Sequence, residues 1–382
     1  MKKNFFLLLF ISSIGLAQTK YVANPIAVPH HDTPVLKLGS KAPDFRLPAS
    51  DGKFYSLKDF AQYKALVILF TCNHCPTAQA YEDRVIKLVN DYKAKGVGLV
   101  AISPNSPIGL LYEELGYTDL NDDYEAMKIR AKDKKFNFPY LYDGDNEAVS
   151  IKYGPVATPH AYLFDSQRVL KYQGRLDALE RPEKGGNSED LRKAIDELLA
   201  GKDVSTPETK VFGCSTKWAW KNEYVEKTEK DWKARPVTLE EIDTQGVKDL
   251  VANKDSDKLR LINVWATWCG PCVLEYPDFL VLQRMYGQRD FEFISVSADK
   301  IDKKEKALKL LQSKHSGVKN YIFKEDDIYK LIEAIDPKWN GALPYTLLVE
   351  PNGKVVYGQQ GTVDFQKLKK IIVEHPKIGR YF

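Results

Sequence analysis

The chain has 382 residues, with 56 Lys and Arg against 52 Asp and Glu and a formal charge of +4. That near-balance gives no electrostatic footprint for nucleic acid or an acidic membrane. The length suits two ordinary domains, each with its own core, and only five cysteines are present.

Met1-Lys2-Lys3-Asn4 precedes an apolar run from Phe5 to Leu16, and Gly15-Leu16-Ala17 stands before Gln18. This is the pattern of a secretory signal cleaved after Ala17. A run of about a dozen apolar residues is too short for a permanent anchor, which takes about 20. The expectation is an exported, periplasmic protein with no membrane span after signal removal, in a compartment where disulfides persist. Residues 18–36 carry Pro25, Pro29 and Pro34 and read as an extended lead-in, with His30-His31 in a mobile polar terminus rather than a metal pair.

From residue 37 to 202 one pattern holds. A buried strand at 65–71 is followed by a helix at 76–95 opened by proline and a strand at 97–103. Helices at 123–134 and 146–153 come next, then a hairpin of 160–164 and 169–173, and a closing helix at 189–199. Residues 203–236, charged and carrying Cys214, Trp218, Trp220 and Trp232, form a connector whose tryptophans are expected to pack on one domain. From 237 to 382 the pattern restarts: helix 238–252, strand 260–266, helix 273–285, strand 291–297, helices near 303–314 and 326–334, a hairpin of 345–350 and 354–358, and helix 364–374.

Four of the five cysteines lie in two pairs, Cys72-Asn73-His74-Cys75 and Cys269-Gly270-Pro271-Cys272, each between a strand and a helix. Cysteines three positions apart at a helix start share a face, close enough to bridge, and the positive helix end stabilises a thiolate. Closing so short a loop removes little entropy from the unfolded chain, so such a disulfide is a poor staple and suits a cycle. Later each half shows a proline at the start of a strand, in Thr158-Pro159 and Leu343-Pro344. A proline there forfeits a ladder hydrogen bond, and a cis proline facing the dithiol, where substrate backbone would pair, explains its presence.

Through Trp265-Ala266-Thr267-Trp268-Cys269-Gly270-Pro271-Cys272, Glu275, Pro277 and Leu343-Pro344, the second half resembles exported thioredoxins of the TlpA/ResA type. The resemblance implies Cys269 as nucleophile, Cys272 as resolver and Glu275 as the acid that moves the resolver's proton. Glu275 lies three residues after Cys272 on the same helical face. Thioredoxin itself carries a buried aspartate where this chain has Asn263, which shifts that role to Glu275. The first half resembles AhpC/TSA redoxins through Lys41-Ala42-Pro43-Asp44-Phe45, Asp51-Gly52 and Ser56-Leu57-Lys58-Asp59-Phe60, and a narrower CxHC group through Cys72 to Pro76 and Gly213-Cys214. The implied fold class is α/β: two thioredoxin-like domains, each a central mixed β-sheet flanked by helices.

His74 stands between its cysteines as a histidine does in the DsbA type of oxidant, where it stabilises the neighbouring thiolate and makes the disulfide more oxidising. Domain one is therefore expected to have the higher potential. Cys214 is either a third redox cysteine that reaches Cys72 or Cys75, or a buried apolar residue. The leading function is thiol-disulfide exchange with protein thiols and disulfides, fed by an upstream redox partner, membrane-bound or soluble, through redox-active disulfides and with no other cofactor. One alternative is a thiol peroxidase, since Cys75 precedes Pro76 as a peroxidatic cysteine does, although Ile68 and Cys72 replace that family's proline and threonine. The other is a Cu(I) chaperone with His160 as third ligand, although such proteins space their cysteines by three residues rather than two.

Overall fold

The computed structural model describes residues 21–179 and 188–380. The signal segment expected at 1–17 lies outside the described residues. Six consecutive apolar residues from Ala65 to Phe70 demand cover on both faces, which makes them a central strand rather than an edge.

Domain one runs β1 (Arg46–Pro48), β2 (Phe54–Ser56), β3 (Ala65–Phe70), α1 (Pro76–Tyr92), β4 (Val97–Ser103), α2 (Tyr124–Asp133), β5 (Tyr140–Tyr142), α3 (Ser150–Tyr153), β6 (Ala157–Thr158), β7 (His160–Phe164), β8 (Leu170–Gly174) and α4 (Glu189–Leu199). Two elements follow before domain two, β9 (Cys214–Ser215) and α5 (Asn222–Lys233). Domain two runs β10 (Glu240–Ile242), α6 (Thr244–Ala252), β11 (Leu259–Trp265), α7 (Gly270–Tyr286), β12 (Phe291–Ser297), α8 (Lys304–Ser313), β13 (Lys319–Phe323), α9 (Ile328–Ile335), β14 (Tyr345–Val349), β15 (Val355–Gln360) and α10 (Phe365–Glu374).

The main sheets have strand orders β5-β4-β3-β7-β8 and β10-β13-β12-β11-β14-β15. In each, the strand before the cysteine pair lies parallel to one neighbour and antiparallel to the strand after the proline: β3 with β4 and β7, β11 with β12 and β14. Both are mixed sheets flanked by helices, so the chain is α/β with two thioredoxin-like domains. Alternate residues of β3 serve opposite cores. Val67 and Leu69 pack with Tyr81 and Val85 of α1, and Leu66, Ile68 and Phe70 pack with Phe45 and Tyr153. In domain two, Leu259 and Leu261 face α7 while Ile262 and Val264 join Val247 and Leu331.

Four departures from the sequence-based expectations bear most on the architecture. Residues 240–242, read as helix, form β10 parallel to β13, because Ile242 buries against the sheet edge and Asp243 then caps α6 by accepting from the Gly246 N–H at 2.9 Å. The helix expected over 146–153 shrinks to α3. Asp143 takes the N–H groups of Val149 and Ser150, fixing a turn where helix would have begun. The lead-in is not a mobile terminus. The Tyr21 hydroxyl donates to Asp145 at 2.7 Å, the Leu36 N–H to the Tyr153 carbonyl at 2.9 Å, and His30 stands edge-on to Trp220. The connector's tryptophans serve both domains: Trp232 joins the domain-two core, whereas the Trp218 backbone packs against Gly109 of domain one.

The domains meet along the C-terminal half of α7. Arg284 is clamped by Glu113 and Glu229 and lies over the rings of Tyr112 and Trp232. The Tyr286 hydroxyl donates to the Thr118 carbonyl at 2.8 Å, and Arg289 donates to Gly116 at 2.9 Å. Leu115 of domain one is counted in the core of domain two. Among the described residues no helix is long and apolar enough to cross a membrane.

Candidate active sites

In domain one, Cys72 follows the C-terminal end of the central strand β3, and Cys75 becomes the N-cap of α1 with Pro76 pre-set for the first turn. Between them, Asp122 organises the loop. Its Oδ1 accepts the N–H groups of Asn73 and His74 at 2.8 and 2.9 Å, and its Oδ2 meets His74 Nδ1 at 2.5 Å and Asn105 Nδ2 at 2.7 Å. His74 is thus a buried, carboxylate-bound ring 1% exposed, not a solvent-facing loop residue. Burial pulls its pKa down, but the charge of Asp122 and their hydrogen bond outweigh that and raise it. Asp122, against the pull of its own burial, is held below the usual carboxylate range by His74 and Asn105.

Thr158, before the proline, touches both sulfurs. Its Oγ1 lies 3.0 Å from Cys72 Sγ and its carbonyl 3.1 Å from Cys75 Sγ. Cys214 completes the cluster, with its N–H donating to Cys75 Sγ at 3.2 Å. As a thiol Cys75 donates to the Thr158 carbonyl; as a thiolate it accepts from its other neighbours. Burial alone would push the Cys75 thiol up, but hydrogen bonds from the Cys214 and Cys72 thiols, the charge of His74 and the Ala78 N–H hold it well below the ordinary range. Cys72 is driven the other way, by burial first and by its bond to Cys75. Cys75 is therefore the sulfur of this site favoured as thiolate, and no carboxylate stands three residues further along the helix, where Ala78 is.

In domain two Cys269 caps α7, and its sulfur accepts the Cys272 N–H at 3.3 Å. The pair is closed as a disulfide with Cα atoms 5.3 Å apart. Asp299 pins the approach through the Thr267 N–H at 2.8 Å and hydroxyl at 2.7 Å. Trp268 flanks the disulfide at 68% exposure, with Leu274 also exposed on the first turns of the helix. Glu275 is buried, its Oε2 accepts the Val363 N–H at 3.1 Å, and its Oε1 has no partner among the described residues. Burial, helped by Asp278 and opposed by that N–H, raises its carboxyl to about 7. Asn263 bonds Thr346 across the sheet at 3.1 Å and puts no acid beneath the disulfide.

Both X-Pro bonds, Thr158-Pro159 and Leu343-Pro344, are cis. Cys72, Cys75, His74, Thr158 and Cys214 come together at one site, and Cys269, Cys272 and Glu275 share the first turns of α7. His160 does not join its cysteines. It stacks on Tyr162 with centroids 4.4 Å apart, and burial lowers its pKa to about 3. Among the described residues the one group spaced for a metal ion is Cys72, His74 and Asp122, in which His74 Nδ1 is held by Asp122 Oδ2. Ile68, where peroxidases place a proline, is wholly inside the core. Asp122, Asn105 and Asp299 had no signature in the sequence, because each acts on a loop distant from it along the chain.

Comparison with known proteins finds a family match in each half of the chain. Residues 38–173 match the AhpC/TSA family and residues 229–372 match the Redoxin family. The chain is 28% identical over 117 residues to the thiol-disulfide oxidoreductase ResA of Oceanobacillus iheyensis, covering 28% of this chain and 53% of that protein. It is 30% identical over 118 residues to ResA of Bacillus thuringiensis subsp. konkukian, covering 29% and 60%. The chain thus spans between half and three-fifths of the length of these curated relatives. Among solved structures, an uncharacterised conserved protein from Geobacillus kaustophilus is 36% identical, with 50% of this chain and 98% of that one covered and a TM-score of 0.43. The chain carries two redoxin domains in tandem, residues 38–173 belonging to the AhpC/TSA family and residues 229–372 to the Redoxin family.

Proposed function

We propose that this protein is an exported, periplasmic thiol-disulfide oxidoreductase that works through two CxxC sites. At domain two, the Cys269 thiolate attacks one sulfur of a partner disulfide and expels the other as thiolate. Cys272, giving its proton to Glu275, then attacks Cys269, closes the Cys269–Cys272 disulfide and releases the reduced partner. The partner gains two electrons, and an upstream redox protein must resupply them. Trp268 offers an apolar platform beside Cys269 for the partner chain, and Leu343-Pro344 offers backbone. At domain one the low-pKa sulfur is Cys75, and the buried His74–Asp122 pair favours its thiolate, which makes that disulfide the more oxidising.

The observation that carries this reading is the placement, in both domains, of a cysteine pair between a central strand and the N-terminus of the helix that follows it. Reduced full-length protein is expected to reduce insulin disulfides, with Cys269→Ser removing most of the rate and the double variant Cys75→Ser/Cys269→Ser removing all of it. A double variant that kept the wild-type rate would sink the proposal.

A further inference from the structure

The two cis-proline loops differ in what lies against them. In domain two no described strand pairs with Leu343, which packs half-buried against the core that includes Cys269 and Cys272. In domain one the corresponding backbone is taken: Thr158 pairs antiparallel with Cys214, and Ala157 with Ser215. Gly213 comes so close that a Cβ there would stand 2.1 Å from the Thr158 carbonyl. An extended segment paired with this backbone, its cysteine beside the dithiol, has the disposition of a bound substrate.

The segment is held there by specific contacts. Thr216 donates to the Pro155 carbonyl at 2.7 Å, the Lys217 N–H to Asn105 Oδ1 at 2.8 Å, and the Ala219 N–H to buried Glu147 at 2.9 Å. Asn105 also donates to Asp122, so the strap and the His74 pair share one support. Access follows the same line. Cys72 and Cys75 are buried, whereas Cys214 is half-buried between exposed Gly213 and Ser215.

We propose that the 213–216 strap is an internal substrate of the domain-one dithiol: Cys214 forms a disulfide with Cys75 and is the sulfur at which outside thiols enter. The proposal rests on the reading of domain one as an exchange site. With Cys75–Cys214 closed, a thiolate of an outside dithiol attacks the Cys214 sulfur. A new S–S bond forms, the Cys75–Cys214 bond breaks, and its electron pair leaves on Cys75. The second outside thiolate attacks the outside sulfur of the mixed disulfide, closing the partner's own disulfide, and Cys214 departs and takes a proton. The partner loses two electrons and two protons; Cys75 and Cys214 gain the electrons, Cys214 keeps one proton, and solvent takes the other. A low-pKa sulfur leaves fastest, and that is Cys75. Cys214 is suited to the proton, because its bond to Cys75 and then its burial hold its thiol up. Recharging takes a disulfide from an upstream donor.

The test uses the full-length protein, reduced, reoxidised with oxidised glutathione, blocked with N-ethylmaleimide and mapped as non-reduced peptides. A Cys75–Cys214 peptide is expected in the wild type, retained in Cys72→Ser and replaced entirely by Cys72–Cys75 in Cys214→Ser. In Cys75→Ser the glutathione adduct is expected on Cys214 and not on Cys72. Wild-type protein that shows Cys72–Cys75 but never Cys75–Cys214 overturns the internal substrate and leaves the dithiol standing. Absence of any disulfide at Cys75 in the wild type overturns both, and because that result needs no variant it does not depend on any variant's folding.

Discussion

Glu275 has a carboxyl raised to about 7 in a buried setting with one oxygen unpartnered, so it sits where proton transfer at neutral pH is easiest. Glu275→Gln is expected to slow the resolution step by about 10²-fold, as loss of a general base typically does. It should also flatten the pH-rate profile near 7, measured by stopped-flow release from a Cys269 mixed disulfide. Its stability effect has a definite sign. The folded pKa lies above the unfolded one, so the native state binds the extra proton and stability falls as pH rises from the ordinary Glu range through 7. The Gln variant should lose that slope in thermal melts. In domain one the partner to remove is Asp122, since it holds His74 charged against burial. Asp122→Asn should raise the Cys75 pKa and lower the domain-one potential by tens of millivolts, because one pKa unit is about 1.4 kcal/mol and equals about 30 mV for a two-electron couple. The cysteines, the glutamate and both prolines were legible because their spacing is local. Asp122 was not, because it reaches His74 across 48 positions of chain.

The strap is the element that decides how domain one is entered, and its tightest point is Gly213, at φ +128 with the Thr158 carbonyl against it. Gly213→Ala meets both a forbidden backbone region and that carbonyl. The β6–β9 pair should part at a cost of about 1–3 kcal/mol, and the Cys214 N–H should leave Cys75. The expected outcome is a Cys75 thiol with a higher pKa that iodoacetamide reaches only at more alkaline pH; an unchanged alkylation profile would mean that the strap does not tune this sulfur. Long elements such as β3, β4, α1, β12 and α10 announced themselves through continuous apolar runs or a helical stripe. The short strands β5, β10 and β13 did not, because three to five residues carry too little periodicity and their state is set by a neighbour distant in sequence. The 203–236 stretch was read as a connector from its charge. Its role as a cover for Cys75 depends on a pairing with β6 that composition does not encode.

At the scale of the whole molecule, α7 separates the two sites. Cys272 opens that helix and Tyr286 ends it, 14 residues and about 21 Å of helical rise away. The Tyr286 end is the one that meets domain one, through Thr118, and four residues later the same segment presents Asp122 to His74. The domain-one dithiol therefore lies near the interface and the domain-two dithiol at the far end of α7. Disulfide exchange needs sulfurs in bonding contact, so we expect each site to exchange with its own partner rather than with the other. Titration of the full-length protein in glutathione buffers should then give two independent transitions, with domain one the more oxidising. Arg284→Ala separates structure from coupling. It leaves Glu113 and Glu229 without their shared cation and bares the rings of Tyr112 and Trp232. Removing one partner of a buried ion pair costs about 3–5 kcal/mol, and less where the carboxylates can rehydrate, as these half-exposed ones can. The melting temperature should fall while both potentials stay where they are, because neither dithiol touches this clamp. A shift in either potential would show that the interface, and not only the local shell of each dithiol, sets the chemistry.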